Sequence, residues 1–103
     1  MAKVFVTGHQ LTDSDLIFTY IKNGVAVLVD QIEAKVYSVT ACGKTEMRLS
    51  TSEIRVDGTK YWFDSIITHG LPLGNYEIAW IFTSNGLQRV AFDEFSVVRD
   101  TEY

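Results

Sequence analysis

Any chemistry in a chain of this kind would rest on its histidines, its cysteine, its serines and its clustered carboxylates. There are two histidines, His9 and His69, and one cysteine, Cys42. A nucleophilic hydrolase needs a nucleophile, a base and a group that orients the base, all within hydrogen-bond reach. Cys42 or a serine would have to meet His9 or His69 through the fold, because these residues lie far apart in the chain and no G-x-S-x-G elbow is present. Cys42 stands just before Gly43 at an expected turn, which suits a small packing residue or a free thiol. No catalytic residue is assigned, and the chain is read as a non-enzyme.

The carboxylates Asp13, Asp15 and Asp30 are the nearest approach to a cation site. The run "DSD" at 13–15 matches a fragment of a calcium loop, but the glycine and the terminal glutamate of such a loop are missing. A turn in which Thr12, Asp13 and Ser14 bond to nearby backbone and start a strand is the simpler reading. A zinc site has no support from one cysteine and two separated histidines. No metal and no cofactor is expected.

The totals narrow the remaining classes. At 103 residues the chain holds one domain with a single core and no room for a large enclosed cavity. Aromatic residues make up 13%, far above what disordered segments carry. The net charge is −4, with 9 basic against 13 acidic residues and no basic run, so no nucleic-acid partner is expected. No apolar run approaches the roughly 20 residues of a membrane span, nor is there a signal-peptide core at the start. A single cysteine forms no internal disulfide, which fits folding in a reducing cytoplasm.

The elements that would position these residues read as strands. Short apolar runs followed by turns recur every 8–12 residues or so, the rhythm of a sandwich or barrel. "DLIFTYIK" joins "VAVLVD" through Asn23–Gly24, a pair that tolerates the positive φ of a primed hairpin turn. "QIEAKVYSVTA" is a further strand, and "KTEMRLSTSEIRV" is either two short strands or one irregular connection. Beyond Asp57–Gly58, "KYWFDSIIT" alternates, with Tyr61 and Phe63 on the core side and Trp62 partly exposed or at a rim. Gly70, Pro72 and Gly74 form a turn that feeds "NYEIAWIF", where Tyr76, Ile78, Trp80 and Phe82 share one face. Trp80 lies mid-strand between Ile78 and Phe82, so burial against a facing sheet is expected rather than a binding platform. In the last strand Val90 and Phe92 have one parity, Phe95 and Val97 the other. A bulge near Asp93–Glu94 would bring all four into the core, as would a strand that crosses between sheets.

Several stretches carry a resemblance. "HQLTDSDLIFTYI" at 9–21, "VDQIEAKVYSV" at 29–39, "DGTKYWFDSI" at 57–66, "LPLGNYEIAWIF" at 71–82 and the closing "RVAFDEFSVV" follow one another through most of the chain. In this order they resemble small immunoglobulin-like β-sandwich proteins among the structural genes of tailed bacteriophages. The resemblance implies an all-β, single immunoglobulin-like antiparallel β-sandwich of about six to eight strands over residues 1–103. It also implies a non-enzymatic virion subunit at the head-to-tail neck or connector, or on the capsid, made in the bacterial host cytoplasm. Its partners would be other virion structural proteins of neck, portal, tail or capsid, with symmetric self-association. A small sandwich in such an assembly would use its edges and ends. Segments 1–9 and 97–103 are the candidate arms, with Val4, Val6, Arg99 and Tyr103 as candidate interface residues. The alternative is a host-surface or glycan-binding module built on Trp62.

Overall fold

A computed structural model describes residues 3–68 and 71–99, apart from the side chains of residues 50–52. Its regular structure is strand throughout: β1 (Lys3–Val6), β2 (Ile17–Lys22), β3 (Val25–Val27), β4 (Gln31–Thr40), β5 (Gly43–Met47), β6 (Ser50–Asp57), β7 (Lys60–Ile66), β8 (Gly74–Ser84) and β9 (Leu87–Val98). Turn chemistry sets the hairpins. Asn23 and Gly24 sit at φ 53° and 79°, and Asn85 and Gly86 at 53° and 76°, the double positive φ of type I′ turns. The expected turn residue Gly70 lies outside the described residues. Pro72 is exposed in the loop, and Gly74 opens β8 at φ 149°, a backbone state that a side chain would strain.

The strands form two sheets, ordered β1-β9-β8-β4-β5 and β3-β2-β7-β6. Placing β2, β7 and β6 in one layer and β9, β8 and β4 in the other reproduces the strand distribution of an immunoglobulin-type sandwich. Nine strands lie among the described residues, where about six to eight were expected. The expected partner of β2 across Asn23–Gly24 is the short β3, and "KTEMRLSTSEIRV" takes the two-strand alternative as β5 and β6, which belong to different sheets. One pair also departs from an all-antiparallel arrangement, since β1 runs parallel to β9. These strands come from opposite ends of the chain, so no short turn forces them to oppose.

The core lies between the layers. Tyr61 and Phe63 of β7 face Tyr76, Ile78, Trp80 and Phe82 of β8, and all six are buried, as are Phe95 and Val97 of β9. Trp80 stacks on Phe18 at 5.9 Å and meets Phe63 edge-on at 6.4 Å between ring centroids. The Tyr76 hydroxyl donates back to the Pro72 carbonyl. This is the corner contact that pins the loop before the equivalent strand of immunoglobulin domains. Leu11, Leu16, Ile67 and Leu71, from the connections, close the ends of the core.

Val90 and Phe92 overturn their expected place. They are 47% and 59% exposed, not core residues. No bulge interrupts β9 at Asp93–Glu94, because its pairing with β8 runs in unbroken register from Gly74↔Val97 to Ser84↔Leu87. Ala91 is the residue paired with Trp80. A side chain as large as Val90 or Phe92 there would compete with the indole for the same volume. The register shift falls instead in β6, between Ser50 and Glu53.

Candidate assembly surface

The outer face of the five-stranded sheet is built by alternation. Because Tyr76, Ile78 and Trp80 point inward, Glu77, Ala79 and Ile81 point outward. Their β9 partners Glu94, Phe92 and Val90 do the same, as do Tyr37, Lys35 and Glu33 of β4. At the β1 edge the register places Val4 beside Ser96 and Val6 beside Val98. Val4 is 61% exposed, and Val6, Val90, Phe92 and Val98 are also exposed.

Phe92 is the centre of this face. It is paired with Ala79, which is buried although it points outward. Lys44 of β5 reaches in from the far side of the sheet. Its Nζ lies 2.6 Å from Glu77 Oε1 and 5.0 Å from the centroid of the Phe92 ring. The ammonium therefore sits over an aromatic face and against a carboxylate. An apolar patch with a charged rim marks an interaction surface more often than a solvated one. Parity within β9 was the signal for it, since Val90 and Phe92 are out of phase with Phe95 and Val97.

The other expected interface residues divide. Val4 and Val6 are solvent-facing but lie within β1, paired with β9, and Arg99 is exposed just beyond β9. Tyr103 lies outside the described residues. The first candidate arm is held to the sandwich over residues 3–11. Gly8 N–H donates to Ile67 O at 2.6 Å, Ile67 N–H to His9 O at 2.8 Å, and Leu11 N–H to Ser65 O at 2.8 Å.

The residues with catalytic or cation-binding chemistry are dispersed. His9 Nε2 lies 2.9 Å from Asp15 Oδ2, and its ring stacks on Phe5 at 5.2 Å. The same carboxylate oxygen accepts from the Thr12 N–H at 2.8 Å and the Thr12 hydroxyl at 3.1 Å. Burial pushes the Asp15 carboxyl upward, but the bonds from His9 and Thr12 and the His9 charge outweigh it, leaving it below the ordinary range. Lys3 ties β1 to this loop, its Nζ donating to the Ser14 and Asp15 carbonyls. His9 is thus part of a clasp with a carboxylate, and His69 lies outside the described residues. Cys42 is exposed at the tip of the β4–β5 hairpin, where its N–H donates to Thr40 Oγ1.

The three aspartates do not converge. Asp13 stands 3.7 Å from Lys60 Nζ, and Asp30 accepts from the Asn85 N–H at 3.2 Å. Among the described residues no three His, Cys, Asp or Glu side chains are placed to hold a metal ion. The turn at 12–15 does form, with Asp15 rather than Asp13 as its main acceptor. Trp62 is half-buried on the outer face of the four-stranded sheet, in register between Ile17 and Arg55. No protein-family model, curated protein or solved structure matches this chain.

Proposed function

We propose that this chain is a non-enzymatic structural subunit of a tailed-phage virion, at the neck or connector or on the capsid. It is made in the host cytoplasm and incorporated through protein–protein contacts with itself and with other virion proteins. The observation that supports this reading is the exposed apolar face centred on Phe92, continued toward the β1 edge by Val4, Val6 and Val98. A β-sandwich whose polar catalytic candidates are scattered, and whose outer sheet face carries exposed Val90 and Phe92 among charged residues, is suited to packing against a neighbour. Repeated use of one face in a ring or around a symmetric partner follows from closed symmetry.

Two measurements test it. Mass spectrometry of purified particles from the source phage is expected to find the chain in fixed proportion to the other structural proteins. Its absence there overturns the reading. Incorporation is expected to fail for Phe92→Lys while the isolated variant keeps its fold by circular dichroism. Normal incorporation of Phe92→Lys removes this face from the assembly.

A host-surface or glycan-binding role is the second reading, favoured by Trp62 on the solvent side of β7 beside Arg55 and Asp64. Arg55 Nε lies 3.0 Å from Asp64 Oδ2, and Gln10 Nε2 2.7 Å from Asp64 Oδ1, forming a polar array next to an aromatic ring. A saturable change in tryptophan fluorescence on titration with sugars, abolished by Trp62→Ala, would select this reading over assembly.

A further inference from the structure

The β9 strand is covered unevenly. On one side it pairs with β8 from Leu87 to Val97, whereas on the other β1 covers only Phe95–Val98. Among the described residues no strand lies beside Leu87–Glu94. The backbone groups of this edge follow a fixed alternation. Ser84 and Leu87 close a two-residue turn, so Leu87, Arg89, Ala91 and Asp93 exchange their bonds with β8. Gln88, Val90, Phe92 and Glu94 turn theirs outward. The Glu94 N–H bears this out, since it donates to the Asp93 side chain at 2.8 Å rather than to β8.

Open strand edges commonly carry charges that oppose pairing with another edge. Here the side chains are ordered so that the edge complements itself. The run "QRVAFDE" at 88–94 is centred on Ala91. Antiparallel pairing of two copies about Ala91 sets Val90 opposite Phe92 and Arg89 opposite Asp93, twice each, with Gln88 opposite Glu94. Val90 and Phe92 are exposed, and neither Arg89 nor Asp93 makes an ion pair among the described residues. The apolar pairs fall on the outer face and the charge pairs on the other, so the two kinds do not mix. Moving the centre destroys the match. About Val90, Arg89 meets Ala91 and Asp93 meets Leu87. About Phe92, Val90 meets Glu94, and Arg89 meets Phe95, whose edge β1 already holds.

We propose that the uncovered edge of β9 is a two-fold interface with a second copy of this chain, centred on Ala91. It joins the five-stranded sheets of the two copies into one continuous sheet. The outward N–H and C=O groups of Val90 and Phe92 bond those of Phe92 and Val90 in the copy, and the two Phe92 patches become one surface. Any extended strand could bond this backbone. A copy also answers the side chains position by position, apolar to apolar and cation to carboxylate. The proposal rests on the Phe92 surface being an interface, but not on a role in a virion.

The test is sedimentation equilibrium of the full chain and of two charge-reversed variants. The unmodified chain is expected to form a dimer whose share rises with concentration. Arg89→Asp and Asp93→Arg each oppose like charges at both pairs, and each is expected to weaken the dimer by about tenfold or more. An equimolar mixture of the two variants is expected to recover the unmodified affinity, because both charge pairs are then opposite in sign. That recovery separates lost pairing from lost folding. A chain that stays monomeric at about 1 mM overturns the proposal. So does a dimer that both reversals leave intact, and so does a mixture as weak as its components. Dimerisation is read on the isolated chain and incorporation on purified particles, so this proposal and the virion reading fail separately.

Discussion

The β8–β9 ribbon has two apolar faces with opposite fates. On the inner face Trp80 is 1% exposed, packed between Phe18 and Phe63. On the outer face, one residue along the same ladder, Phe92 is 59% exposed beside Ala79 and Ile81. Composition does not separate the two. What separates them is the second sheet, which lies across one face and leaves the other to a charged rim and solvent. The inner face holds the two sheets together, and the outer face leaves its apolar side chains in solvent.

That contrast is most sharply challenged at Trp80. Trp80→Ala removes the largest core side chain and is expected to cost about 3–5 kcal/mol in urea unfolding. A loss near that of a surface substitution would mean that the two faces are not distinct. The indole Nε1–H has no hydrogen-bond partner in the described structure, so Trp80 contributes through its ring alone. Tyr76→Phe tests how firmly the inner face is anchored to its loop. Loss of the hydroxyl bond to the Pro72 carbonyl is expected to cost about 1 kcal/mol. Burial raises the Tyr76 phenol above its ordinary value, so its ionisation in alkaline titration is expected later than that of a free tyrosine.

The clasp that brings β1 to the sandwich is open to an acid test. The Asp15 carboxyl is held below its ordinary value of 3.8, so its stabilising contribution is fully present above that pH. It is lost as the pH falls through the lower folded value. Asp15→Asn is expected to flatten that acid limb, and an unchanged limb in acid-unfolding curves would exclude the clasp as its source. On the outer face, Phe92→Ala is expected to change monomer stability by less than about 1 kcal/mol. A cost like that of Trp80→Ala would return Phe92 to the core. Lys44→Ala, which breaks an exposed ion pair with Glu77, is expected to cost about 0.2–1 kcal/mol by the same measurement.

Much of this architecture was legible from residue order. The Asn23–Gly24 and Asn85–Gly86 turns, and the single parity of Tyr76, Ile78, Trp80 and Phe82, are local signals, and local signals specify hairpins and register. The same alternation placed Tyr61 and Phe63 inside and left Trp62 partly exposed, in the middle of the outer face rather than at its rim. Val90 and Phe92 were misplaced because parity says that two sets of side chains face opposite ways, without saying which features of the neighbouring strand keep the ladder continuous. Ala91, small where the indole needs space, was the clue. The parallel pairing of β1 with β9 and the crossing of the chain at Arg48–Leu49 join residues distant in sequence, and no local pattern announces them. The clasp of His9 on Asp15 was hidden for a different reason. Its residues are close in the chain, but the ring finds the carboxylate through the path that Gly8 and Leu11 take along β7.

The parallel alignment of the first and last strands has a mechanical consequence. Lys3 lies beside Phe95 and Val6 beside Val98, so the two strands enter and leave this edge pointing the same way. Tension applied at the Lys3 end of one and the Val98 end of the other slides them past each other and strains every bond between them together. Had they run in opposition, the same pull would have unzipped them one bond after another. Under that pull the four pairs of this edge carry the load together rather than in turn.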